Sequence, residues 1–138
     1  MKSQLMFFLF TLLMVTNACE PKNTAKSSGS DTLQLNNGEK WKVNEEMMPY
    51  LKGMQGALLS YDVAEGDYTM LAETLHGYNK KLIKSCTMDG KSHDQLHVWL
   101  HPYLELTDAL SKAKTADDAA QIVLKIKSSF ETFNQYFQ

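Results

Sequence analysis

The chain contains no arginine; all 14 of its basic residues are lysines. Arginine supplies the planar fork that holds phosphates and base edges, and no stripe of lysines replaces it here. Nucleic acid is therefore not an expected partner. Cysteine is almost as scarce, with two residues, Cys19 and Cys86. No Cys-x-x-Cys pair exists, which removes the usual structural zinc framework and the covalent haem attachment motif. There is no Gly-rich phosphate loop, no Gly-x-Ser-x-Gly, no His-Glu-x-x-His and no pair of Glu-x-x-His motifs of the di-iron type. These absences point away from an enzyme. An apolar run long enough to cross a bilayer is also missing. Leu5 to Val15, broken by Thr11, falls short of the roughly 20 residues a spanning helix needs.

What the N-terminus does have is the layout of a processing segment. Lys2 gives a minimal basic start, and Leu5–Val15 has the length of a secretory h-region. The run ends at Thr16-Asn17-Ala18-Cys19. This resembles the lipobox of bacterial lipoproteins, in which the cysteine is lipidated and becomes the first residue after cleavage. The usual Leu and small residue ahead of the motif are replaced by Thr16 and Asn17, so an ordinary signal cleaved after Ala18 is the alternative. The blocks Leu35–Asn44 and Lys81–Leu106 look like those of small predicted envelope lipoproteins of Gram-negative bacteria. That resemblance implies a compartment and no named activity. It suggests a signal peptide at 1–18, a lipid anchor on Cys19 and a polar tether through 31. The domain would sit at a membrane of the bacterial envelope, the outer one by preference, facing periplasm or exterior.

Residues 32–43 read as a short β-hairpin around Asn37-Gly38, a strong turn signal. A three-residue loop over 36–38 would set Leu33 opposite Trp41. Leu33, Leu35, Trp41 and Val43 are then the candidate packing residues.

Four amphipathic helices fill 44–138. The first runs from about Glu45 to Tyr61, capped by Asn44, with Met47, Leu51, Met54 and Leu58 at i, i+3/i+4 spacing. Pro49, Gly53 and Gly56 weaken it. The second, capped by Asp67, runs from Tyr68 to Met88 and carries Leu71, Leu75, Leu82 and Cys86. The third starts at Ser92, with Gln95 completing a capping box. The fourth starts at Thr115 with the clearest stripe: Ala119, Val123, Ile126, Phe130, Phe133 and Phe137. Short connections between long helices predict an all-α, up-down-up-down antiparallel four-helix bundle behind the hairpin.

That topology gathers the chemistry at one pole. Cys86, Met88, His93 and His97 meet where the second helix ends and the third begins. Thiolate, thioether and imidazole bind soft and borderline metals. His93 and His97, four residues apart, share a helix face. Pro102 should kink or break the third helix and turn His101 away, which makes His101 the weaker of five candidate ligands. His76 lies about 15 Å along the second helix from Cys86 and cannot join them. Asp94 could orient a histidine, although the helix dipole alone explains an acid in the first turn.

Taken singly, each residue has an ordinary explanation. Cys86 sits on a core stripe, Met88 can fill space, and His97 borders an apolar face. Together, in an oxidising compartment and with no disulfide partner if Cys19 is lipidated, they suggest a metal site. Mixed sulfur and imidazole suits copper before zinc. A Met/His pair could instead hold non-covalent haem. The sequence thus supports copper storage, sensing or transfer by a lipid-anchored protein. The alternative is a structural or protein-binding module with an envelope partner and no metal. Oligomeric state is open.

Overall fold

The computed structural model describes residues 32–138. The expected signal peptide, lipidated Cys19 and tether lie outside the described residues. Helices α1 (Met48–Ser60), α2 (Tyr68–Ser85), α3 (Gly90–Ser111) and α4 (Ala116–Tyr136) make up most of the described chain, with one 3-10 turn, Glu45–Met47, ahead of α1. No described helix is long and apolar enough to cross a membrane.

The apolar stripes explain why the helices associate. Met47, Leu51, Met54 and Leu58 are buried from the first helical region, Leu71, Leu75 and Leu82 from α2, and Leu96, Trp99, Leu100, Tyr103 and Leu110 from α3. Ala119, Val123, Ile126, Phe130, Phe133 and Phe137 complete a single core. Each large side chain removed from water contributes roughly 1.5–3 kcal/mol, enough in sum to oppose the chain's ordering entropy. α1 packs on α2, α2 on α3 and α3 on α4, while the seam between α4 and α1 is thinner. Gly53 lets that first pair approach closely: a Cβ there would lie 2.5 Å from ring carbons of Tyr78.

Helix ends follow local chemistry in two cases and depart from it in two. Asp67 accepts from the backbone N–H groups of Thr69 and Met70, and Thr115 Oγ1 accepts from Asp118 N. Pro49 is tolerated because it lies in the first turn of α1, where no intrahelical donor is needed. Asn44, the expected cap, makes no side-chain capping bond. The expected capping box at Ser92 is absent too, because α3 begins earlier, at Gly90. Gln95 is buried instead and accepts from Gln34 N at 2.6 Å. α2 stops at Ser85 with Cys86 as its C-cap, so Cys86 and Met88 stand in an extended turn and not on the helix.

The predicted β-hairpin does not form. Its turn does: Asn37 and Gly38 both have positive φ, 54° and 91°, and Asn36 exchanges two backbone hydrogen bonds with Glu39. That is a two-residue loop, one shorter than expected. The pairing goes no further because the second arm is taken by the C-terminus. Trp41 N donates to Tyr136 O, Gln138 N donates to Trp41 O, and Val43 N donates to Gln138 O. The arms touch through a side chain, with Trp41 Nε1 donating to Gln34 O at 2.6 Å. Leu33 and Trp41 pack on the core and Val43 is buried, but Leu35 is exposed.

Pro102 also departs from expectation. α3 is helical through it from Gly90 to Ser111. Pro102 is exposed, while Trp99, Leu100 and Tyr103 beside it are buried and hold the helix on the core. His101 therefore keeps its place in the histidine row.

Candidate functional site

α3 carries two kinds of chemistry on two faces. On the inner face Trp99 donates through Nε1 to Ser129 O at 2.8 Å and stacks on Tyr103 with ring centroids 4.9 Å apart. The Tyr103 hydroxyl donates to Met54 Sδ at 2.9 Å. Burial pushes the Tyr103 phenol far above its ordinary range, so it stays a donor, and the Met54 sulfur is spent as its acceptor. Deeper along the bundle Asn79 donates to Thr107 Oγ1, which donates to Leu104 O. Asn79 Oδ1 is buried without a partner.

The outer edge of α3 carries the histidines. His93 Nε2 lies 3.1 Å from His97 Nε2, and His97 Nδ1 lies 3.0 Å from His101 Nε2. Each contact requires one N–H and one lone pair, so a neutral His97 donates one way and accepts the other. The rings meet edge to face, at 65° and 89°. His97 is held below the ordinary imidazole pKa. Burial is the main cause, followed by the charges His93 and His101 would carry; Asp94 pulls the other way. The ring that bonds both neighbours is thus kept neutral near pH 7, the state that can bind a metal.

The row borders a groove of about 320 Å³ whose other walls are Met47, Ile83, Cys86, Leu96, Leu100 and Leu104. All three histidines and the half-buried free thiol of Cys86 therefore face one space. Cys86 is held there from outside the helices. Asn44 Nδ2 donates to Ser85 O at 2.9 Å, and Asn44 Oδ1 accepts from Thr87 N at 3.3 Å, so one amide brackets the cysteine on both sides. The sequence carries no local sign of this, since the partners are some forty positions away. On the far side of the row, Asp94, His97, Val98, His101 and Pro102 line a second, shallower recess.

The five candidate ligands are thus divided. Cys86, His93, His97 and His101 share the groove, whereas Met88 is packed against the core and does not line it. The methionine that does line the groove is Met47. Among the described residues, no three His, Cys, Asp or Glu side chains form a group that could hold a metal ion. Helix geometry accounts for this. His93 and His101 are eight residues apart, about 12 Å along the axis, so three donors in such a row cannot converge on one ion. Adjacent pairs can. Two nitrogens bound to one tetrahedral ion at about 2.0–2.1 Å lie roughly 3.3 Å apart, close to the separations in the row. No protein-family model, no curated protein and no solved structure matches the chain.

Proposed function

We propose that this chain binds a soft or borderline metal ion, copper first, through a pair of row histidines assisted by Cys86, and that it stores, senses or passes on the ion. The carrying observation is the ring-to-ring contacts of 3.0 and 3.1 Å in a groove that also contains a free thiol. Imidazole with a thiolate suits Cu(I) better than a hard ion. The apolar walls shield the thiol, and the neutral state of His97 spares the ion competition with a proton. In this reading the helices run up-down-up-down, the domain hangs from a lipid on Cys19 at the bacterial envelope, and no reaction is catalysed.

The test is a Cu(I) titration of the purified protein against a competing chelator, with elemental analysis beside it. One equivalent bound tightly, and weakened in both Cys86→Ser and His97→Gln, is the expected result. Unchanged affinity in both variants overturns it. A second reading, a scaffold that binds an envelope protein and no metal, is favoured by the absence of a three-donor group among the described residues. It predicts no tight binding of copper or zinc.

A further inference from the structure

We infer that His97 is a shared ligand of two mutually exclusive stations, so that the row holds one ion at a time and can hand it along α3. The inference rests on the metal-binding reading above and specifies how that site works. His97 meets His93 through Nε2 and His101 through Nδ1. A neutral imidazole has one lone pair and one N–H. With the proton on Nδ1, the Nε2 lone pair faces His93. With the proton on Nε2, the Nδ1 lone pair faces His101. One tautomer therefore completes one station and closes the other.

The stations differ in surroundings. The His93–His97 contact is partly buried, and the groove beside it includes Cys86; the His97–His101 contact is exposed, and Asp94 lies in the recess beside it. The first is the more shielded from water and suits retention. The second is open to water and to a carboxylate, and suits release or exchange. The handover changes no oxidation state. On transfer the metal–His93 bond breaks, His101 binds, and the His97 proton moves from Nδ1 to Nε2 through water.

Cu(I) alone is the probe, being diamagnetic, and long-range 15N–1H correlation spectra of the intact protein identify the His97 nitrogen that is coordinated. The native protein binds one equivalent. His93→Gln shifts coordination to Nδ1, and His101→Gln holds it at Nε2. His97→Gln loses more affinity than either. Circular dichroism confirms that the helices persist in each variant. Two equivalents at similar affinity, or the same nitrogen coordinated in both end variants, overturns the shared-ligand assignment while leaving metal binding in place. No Cu(I) bound by the native protein overturns the metal reading itself, and this inference with it.

Discussion

The two faces of α3 solve different problems with the same helix. The inner face buries Trp99 and Tyr103 among Phe130 and Phe133, and both polar atoms of that pair find partners inside the protein. The outer edge leaves three imidazoles at the surface with one another as the partners shown. On the inner face, polar groups are matched to fixed acceptors, so the face has one arrangement. On the outer edge, each contact can be written with the proton on either nitrogen, so the row has more than one. Stability resides on the first face, and the capacity to change ligands resides on the second.

The largest effect that tests this division is Trp99→Ala. It removes the stacked ring and the Ser129 bond together, and such truncations cost about 3–5 kcal/mol. His97→Ala, two positions away and half-buried at the edge of the groove, should cost no more than about 1 kcal/mol, the middle of the range for single substitutions. Denaturant melts of the two variants measure the contrast. Similar losses in both would mean that the row is structural.

Next in size is Gly53→Ala at the α1–α2 seam. A Cβ placed 2.5 Å from Cε1 and Cζ of Tyr78 forces the ring or the helix to move. Overpacking of this kind costs about 1–3 kcal/mol. In a Tyr78→Leu background the same change should cost clearly less. An equal cost in both backgrounds would show that the glycine is not there for the ring.

Asn44→Ala is smaller and more local. It removes the bonds to Ser85 O and Thr87 N, worth about 1 kcal/mol together at a partly exposed site. Its sharper readout is Cys86, which should alkylate faster once its bracket is gone. An unchanged alkylation rate would leave Asn44 with no role at the thiol.

Much of this organisation is legible in the sequence, and the reasons for the rest are particular. The buried stripes appear because burial repeats at 3.6 residues, and Asn37-Gly38 announces its turn because few other pairs accept positive φ twice. Asn44 and Gln95 were legible only as capping residues, since their local chemistry is that of a cap. Their actual partners, Ser85, Thr87 and Gln34, are set by the tertiary fold. Trp41 abandons its hairpin for Tyr136 and Gln138 for the same reason. Pro102 would break an isolated helix, but neighbours packed into the core keep α3 helical, and His101 stays in the row. The i, i+4 spacing shows that the histidines are neighbours. It does not show that His97 turns a different nitrogen to each side.

The smallest effect is the one that isolates the row's electrostatics. His97 titrates below its ordinary value of about 6.5 because of burial and its two histidine neighbours, with Asp94 opposing. The folded protein therefore binds that proton less readily than the unfolded chain. The contribution to stability is present above the ordinary value and is lost as pH falls through the lowered one. The ring is only half-buried, so solvent screens the effect and the titration, not a melt, is where it should be read. In the metal-free protein, His93→Gln removes a repulsive charge while keeping a side chain in place, and the His97 midpoint should rise. Asp94→Asn removes the one attractive charge, and the midpoint should fall further. The two substitutions act from adjacent positions on one helix, and a general loosening of α3 would shift both midpoints the same way. Opposite shifts in the imidazole proton resonances would establish that His97 senses its neighbours' charge. Shifts of one sign would mean that burial alone sets its proton, and the row would be a set of separate rings.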